Sequence, residues 1–175
     1  KTFSDITSNK LTRKLNDKIQ LYFDPEPMSS EINNLSNKLK FNITKEKDNG
    51  NLEYLDNISN EYATNGLSIY QQALKDDNYV GSDTWGFFKN KVKDYCVEEG
   101  YRNILVILTD GYVYYRNNLL TEGNFSTYIT PQTIRSKRLN QSNWKEMIET
   151  KKHGFIPLDL DLSNLEVLVL GINPV

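Results

Sequence analysis

Apolar residues along this chain follow two kinds of spacing, which predict strands and helices in alternation. Residues 104–108 are a continuous run of leucine and β-branched residues, and residues 165–170 are a similar run interrupted only by Glu166. Both runs are too short for a helix, and Gly111 and Gly171 follow them. Runs of this kind are typical of strands that are buried on both faces in the middle of a parallel sheet. We therefore expect two central strands here.

Two further strands are predicted in the first third of the chain, at 18–23 and 41–44. Pro25 and Pro27 end the first of them, because proline has no amide hydrogen for the ladder. An acidic loop, 24–30, then leads into a helix. The opening segment is thus predicted to be a strand, a loop and a helix.

Helical periodicity is found in four segments. They are residues 30–39, 52–74, 83–100 and 142–151. Ser29 or Ser30 can cap the first helix, and Ser82 or Asp83 can cap the third. The apolar stripe of the second segment shifts near Gly66, which predicts either one kinked helix or two short ones.

Other segments have no clear period. Residues 4–17 are predicted to form a short helix or an ordered arm, 45–51 a charged turn, and 112–115 an extension of the preceding strand. The longest such stretch, 117–139, has the length at which a lid, a hairpin or a binding loop is common.

The alternation of strands and helices predicts an α/β fold with three layers. A doubly wound, mostly parallel sheet would be flanked by helices, as in Rossmann-like proteins. A length of 175 residues suits one domain, so we expect 1–175 to be a single domain. The sequence stops just after a strand, where such a fold usually adds a helix, and we expect that last helix to be missing.

Composition and charge narrow the range of partners. The net charge is -2 with both signs mixed, which gives no basic surface for nucleic acid and no polybasic patch for a membrane. With a mean hydropathy of -0.62 and no apolar run near the roughly 20 residues of a membrane helix, we expect a soluble domain. Cys96, the single cysteine, excludes an internal disulfide and a cysteine-rich zinc site. Lys1 is not a methionine, which is compatible with a removed upstream signal and favours the cell envelope or the outside of the cell. A cloning boundary produces the same start, so the localisation stays open.

Three loops are expected to meet at one edge of the predicted sheet, because ligands bind beyond the carboxyl ends of parallel strands. They are residues 24–30, 81–84 and 109–111. They carry carboxylates and hydroxyls but neither histidine nor thiolate. Such ligands suit a hard cation, namely Mg²⁺, Ca²⁺ or Mn²⁺, rather than zinc.

Three stretches in this arrangement resemble a von Willebrand factor type A domain. They are Val80-Gly-Ser-Asp83 before a helix, Ile104-Leu-Val-Ile-Leu-Thr-Asp-Gly111, and Leu165-Glu-Val-Leu-Val-Leu-Gly-Ile172. In that family a metal ion-dependent adhesion site uses an Asp-x-Ser-x-Ser loop after the first strand, a threonine of a second loop and the aspartate of a Thr-Asp-Gly loop. The resemblance implies that Asp110 is that last aspartate. It also implies that Ser82 replaces the threonine, with Thr84 as the alternative.

The first loop of the site departs from the family pattern. Asp24 matches the leading aspartate, but Glu26 and Met28 stand at the serine positions. A glutamate is a ligand for a hard cation, whereas methionine is not. The resemblance therefore implies a degenerate site, and both bound Mg²⁺ or Ca²⁺ and no cofactor at all remain open. The candidate metal ligands are Asp110, Ser82, Asp24, Glu26 and Thr84.

Each candidate also has an ordinary structural role. Asp110 can hold a turn, and Ser82 or Asp83 can cap a helix. The acidic residues of loop 24–30 can be solvated charges. The single histidine, His153, follows a helix, where it can bond the terminal carbonyls, and we expect no catalytic role for it.

Three functions are compatible with these residues. The first is a non-enzymatic binding or adhesion module that presents the carboxyl-edge loops to a protein partner. The second is a Mg²⁺-dependent phosphatase, because Asp24 and Thr109, each after a predicted strand, resemble the corresponding residues of haloacid dehalogenase-type enzymes. In this chain Glu26 would replace the second aspartate of that family. Asp159 and Asp161 would be the later acidic pair. The third is a structural domain of an envelope protein without a ligand. We expect the first of these, which is not an enzyme.

Overall fold

The computed structural model describes residues 15–44, 52–76, 81–116 and 118–171. The elements in chain order are β1 (Asn16–Ile19), α1 (Ser30–Asn37), β2 (Phe41–Thr44), α2 (Leu52–Ala73), α3 (Thr84–Asn90), α4 (Val92–Cys96), β3 (Asn103–Leu108), β4 (Thr121–Glu122), β5 (Phe125–Ser126), α5 (Pro131–Ser136), α6 (Trp144–Lys151), β6 (Gly154–Phe155) and β7 (Leu165–Leu170). They divide into two compact units, Lys1–Tyr79 and Val80–Val175. None of the helices in the described ranges combines the length and apolar character that crossing a membrane requires.

The first unit contains an antiparallel strand pair and two helices that pack together. β1 runs antiparallel to β2, with Ile19 opposite Phe41. The buried side chains form two apolar clusters. One consists of Leu15, Ile43, Leu55 and Ile58, and the other of Ile32, Leu39 and Ile69. Ile32, Leu55 and Ile58, which belong to the apolar stripes that predicted the two helices, therefore supply part of the core. The stripe predicted after Gly66 is wrong, because Leu67 and Tyr70 are exposed and Ile69 is buried instead.

β1 is shorter and begins earlier than the predicted strand at 18–23. Leu21 and Phe23 leave the ladder and pack against the cluster around Ile32. Because they bury their side chains against helices, they are not available for strand pairing. β1 is thus the partner of β2 rather than the first strand of a parallel sheet in the described structure.

Hydrogen bonds explain where the first helix of this unit begins and how the second is held. The Ser29 hydroxyl accepts a hydrogen bond from the Ile32 amide at 3.3 Å, which confirms the predicted cap. α2 is one continuous helix that passes through Gly66. Its Tyr62 hydroxyl donates to the Leu39 carbonyl at 2.6 Å and so ties α2 to the end of the α1 segment.

The second unit is built around a parallel pair, β3 and β7. Six residue pairs align the two strands in parallel, which confirms that both predicted segments are strands and that they run in the same direction. At their start, the Arg102 guanidinium donates to both carboxylate oxygens of Glu166, at 2.7 and 2.8 Å. This hydrogen-bonded partner lowers the pKa of Glu166.

The prediction that both strands are buried on two faces is wrong for the described structure. Burial along β3 alternates, with Ile104 53% and Leu108 74% exposed, and residues 167–170 of β7 are all exposed. Alternation is the pattern of a strand covered on one face. The physical reason is that β3 and β7 form a sheet of only two strands among the described residues.

Three other segments of the second unit differ in detail from what the sequence predicts. The predicted long helix after Asp83 is interrupted at Lys91, where α3 ends and α4 follows. The aperiodic stretch 117–139 contains the hairpin β4–β5 and the helix α5, and β6 joins β5 in parallel. Residues 112–115 do not extend β3, since only Tyr115 pairs, in an isolated bridge to Gly81.

The fold class α/β is confirmed. Within the described ranges the strands form sheets of two, two and three members, with both parallel and antiparallel pairs. The three-layer, doubly wound arrangement and the single domain stay predictions. The predicted turn at 45–51, most of the arm at 4–17 and the loop after Gly171 lie outside the described residues.

Candidate functional site

The loop that follows β3 is fixed by hydrogen bonds from its own side chains. The Thr109 amide continues the ladder by donating to the Leu170 carbonyl at 3.0 Å. The Gly111 amide then donates to the Thr109 hydroxyl, and the Tyr112 amide to one Asp110 carboxylate oxygen, each at 3.0 Å. This is the turn-forming role expected of a short polar side chain. Asp110 itself is exposed.

The loop 81–84 lies beside the chain that continues from Asp110. The Ser82 amide donates to the Tyr114 carbonyl at 2.7 Å, and Gly81 bridges to Tyr115. Gly81 has a φ of +101°, and a Cβ at this position would come within 1.9 Å of the Tyr114 carbonyl oxygen. The close approach therefore requires glycine. Loop 81–84 is thus joined to residues 114–115, the segment that follows the predicted loop 109–111.

The hydroxyls in loop 81–84 interact with each other, and its aspartate caps a helix. The Ser82 and Thr84 hydroxyl oxygens lie 3.2 Å apart. Asp83 accepts from the Gly86 amide at 3.0 Å, which makes it the N-cap of α3. Its carboxylate also accepts from the Asn118 side-chain amide. Asn118 is a residue that the sequence pattern did not single out.

The third loop belongs to the other unit. Asp24 is half-buried and Glu26 is exposed, and both lie in the first unit, whereas Ser82, Thr84 and Asp110 lie in the second. Neither unit by itself contains all five candidates. Their convergence on one cation stays a prediction.

The donor set of the second unit is small for a hard cation. The candidates there supply one exposed carboxylate, already bonded through one oxygen, and two hydroxyls. Mg²⁺ and Ca²⁺ take six to eight oxygens, water included. The described residues also contain no group of three histidine, cysteine, aspartate or glutamate side chains suited to a metal. On their own, the three candidates of the second unit therefore leave most of the coordination of a hard cation to water or to other groups.

The residues of the phosphatase alternative are likewise divided between the units. Thr109 follows β3 in the second unit and Asp24 lies in the first. Asp161 accepts a hydrogen bond from the Ser163 amide at 3.0 Å, which lowers the pKa of its carboxyl. Asp159 lines a shallow cavity of about 260 Å³ near Trp85.

Cys96 is half-buried at the end of α4, and burial raises the pKa of its thiol. A thiol that resists ionisation is a poor nucleophile and a poor metal ligand. This environment favours a structural role for Cys96.

Comparison with known proteins adds no relative. No protein-family model matches the chain, and neither a curated protein nor a solved structure matches it significantly. The functional argument therefore rests on the residues and their geometry.

Proposed function

We propose that this chain is a non-enzymatic binding module of von Willebrand A-like, doubly wound architecture that presents the loop 109–116 to a protein partner. One observation supports the proposal most directly. Asp110 and Tyr112 are both exposed, Tyr112 to 65%, on a loop whose backbone is fixed on both sides. A charged group and an aromatic ring thus stand next to each other on an ordered surface.

The fixed backbone matters for binding because ordering a loop costs conformational entropy. Hydrogen bonds to Leu170 on one side and to Ser82 on the other hold the loop in the free protein. A preorganised loop loses less freedom when a partner docks. Tyrosine is also enriched at protein interfaces, where it supplies contact area with few rotatable bonds. Tyr114 adds a second ring, packed edge to face on Tyr128 with 5.0 Å between centroids.

The metal site that the family resemblance implies is degenerate or absent in this proposal. If a cation binds, a carboxylate of the partner would complete its coordination, and the interaction would require Mg²⁺ or Ca²⁺. If none binds, the Asp110 carboxylate would pair directly with a basic group of the partner. The two forms differ in their response to a chelator, while the binding surface is the same.

Titration of the full chain with Mg²⁺, Ca²⁺ and Mn²⁺, followed by calorimetry and thermal unfolding, tests the metal. A cation site at this loop gives heat and a thermal shift that Asp110→Ala abolishes. The matched control is Asp94→Ala, which removes another exposed carboxylate, on α4. No response in the unmodified chain, or equal responses in the two variants, removes the cation from the proposal.

A photo-crosslinking residue at position 112 tests the partner. The control places the same residue at Tyr95, which is exposed on α4. The proposal expects a discrete cross-linked product from position 112, lost with Asp110→Ala, and none from position 95. Equal products from both positions, or none from 112 in extracts of the source cells, would contradict it. Turnover of a phosphomonoester that depends on Asp24 would instead indicate an enzyme.

A further inference from the structure

A cavity of about 510 Å³ lies in the second unit, where the end of α5 faces α6 and the residues after it. Its volume is within the range of roughly 300–1,000 Å³ that is usual for small-molecule sites. Lys137, Arg138 and Lys151 line it together with His153, and the lining contains no aspartate or glutamate. The cavity is therefore strongly cationic in a chain whose net charge is negative.

His153 is the first sign that this cavity has a ligand. Its side chain is only 7% exposed, yet the imidazole makes no hydrogen bond to another described residue. The backbone amide of His153, not its ring, bonds the helix end, donating to the Ile148 carbonyl at 3.2 Å. Buried polar side chains normally have a partner. An imidazole that lines a cavity and lacks one has a donor available for a bound group.

Arg138 brings a guanidinium to the cavity. Its φ is +57°, because it is the left-handed residue that ends α5. Its amide donates to the Arg135 carbonyl at 3.1 Å, and the Leu139 amide donates to the Ile134 carbonyl at 2.8 Å. Cations at helix ends are favoured by the helix dipole, and this accounts for Lys137 after α5 and Lys151 at the end of α6. The dipole does not account for the unpartnered imidazole. Glycine is the usual residue at a left-handed helix end, so the end of α5 does not itself require an arginine at position 138.

We propose that this cavity binds the phosphate group of a small, soluble phosphomonoester. A phosphate dianion needs more than one positive charge, and a guanidinium can donate two parallel hydrogen bonds to it. Gln141 and Asn143 line the same cavity, and their side-chain amides make no hydrogen bond within the described structure, so they add neutral donors. Met147 supplies an apolar wall for the organic part of the ligand. This site is separate in sequence from the loop of the proposed function and does not depend on it.

Isothermal titration of the full chain with inorganic phosphate, glucose 6-phosphate and citrate in 50 mM NaCl tests the proposal. We expect saturable 1:1 binding of glucose 6-phosphate, weaker binding of inorganic phosphate and still weaker binding of citrate. Arg138→Gly removes the guanidinium and also relieves the backbone, so its Tm should be unchanged or higher while its affinity falls at least tenfold. Arg135→Ala removes an equal charge from the same helical segment outside the cavity lining, and its affinity should stay within about twofold.

His153→Gln gives an independent reading, because glutamine keeps a donor but loses the ring. We expect it to weaken binding severalfold. The proposal is overturned if none of the three anions binds saturably, or if Arg138→Gly and Arg135→Ala bind equally. Citrate binding as tightly as the sugar phosphate would overturn the assignment of phosphate. Binding to phosphatidic acid vesicles without binding of the soluble ester would overturn the assignment of a soluble ligand.

Discussion

The side-chain amide of Asn118 donates to both carboxylate oxygens of Asp83, at 2.9 Å each. The same carboxylate caps α3 through the Gly86 amide. One aspartate thus joins the start of a helix to the segment that leads into the β4–β5 hairpin, 35 residues further along the chain. It also holds the loop that carries Ser82 and Thr84.

We predict that Asn118→Ala destabilises the protein by about 1.5–3 kcal/mol, because a hydrogen bond to a charged group is lost. Asp83→Ala should cost more, since the helix cap, worth about 1 kcal/mol, is lost as well. Urea unfolding of both single variants and the double variant measures the coupling between the two residues. Asn143→Ala is the control, because this N-cap makes no side-chain capping bond. Additive effects of the two single changes would contradict the pairing.

The contrast between Asp83 and Asn118 illustrates what a sequence pattern can predict. A cap such as Asp83 is local, because the side chain bonds an amide three residues away, and the pattern predicted it. The partner of that cap is set by tertiary structure, and a lone asparagine in an aperiodic segment carries no mark of it. His153 is similar. Lys151 is close to it in the sequence, but Lys137 and Arg138, which complete the cationic lining, belong to another segment.

The pairing of strands is likewise set by tertiary structure and not by the local sequence pattern. The apolar run before Thr109 predicted a strand, and the structure pairs this strand in parallel with β7. Composition could not reveal how many strands join it, and the exposed face of β3 at Ile104 follows from the two-stranded sheet. Likewise, Leu21 and Phe23 have strand character, but packing against helices decides their environment.

Gly81 should be intolerant of substitution. Gly81→Ala places a Cβ 1.9 Å from the Tyr114 carbonyl oxygen at a φ of +101°, and relieving this clash means moving loop 81–84 away from residues 114–115. We expect a loss of roughly 2–4 kcal/mol in the free energy of unfolding. Gly100→Ala is the matched control, with a φ of +82° and no atom within 4 Å. Only backbone strain of about 1 kcal/mol should appear there, and equal losses in the two variants would argue against the close approach at Gly81.

Tyr62 should make the first unit sensitive to alkali. Burial raises the pKa of Tyr62 to about 12, whereas an unfolded tyrosine ionises near pH 10. Between these two values the unfolded state binds fewer protons than the folded state, so the free energy of unfolding falls as the pH rises. We expect a loss on the order of 1 kcal/mol, since the side chain is partly accessible to solvent.

The variant Tyr62→Phe separates this effect from general alkaline unfolding. It lacks the hydroxyl that donates to the Leu39 carbonyl, so it should be about 1 kcal/mol less stable at pH 7. It should also lose less stability than the parent between pH 9.5 and 11.5. Denaturant titrations at intervals of half a pH unit give both quantities. Parallel curves for parent and variant would show that another group is responsible.

Replacing Gly66 should raise the stability of the protein, whereas the changes above lower it. It lies inside the continuous helix α2, where an added Cβ would meet no atom within 4 Å. Glycine in a helix interior costs about 0.5–1 kcal/mol relative to alanine, because it loses more backbone entropy on folding. Gly66→Ala should therefore stabilise the protein by that amount. Ala63→Gly, at an exposed position of the same helix, should destabilise it similarly, and a destabilised Gly66→Ala variant would mean that α2 needs flexibility at this point.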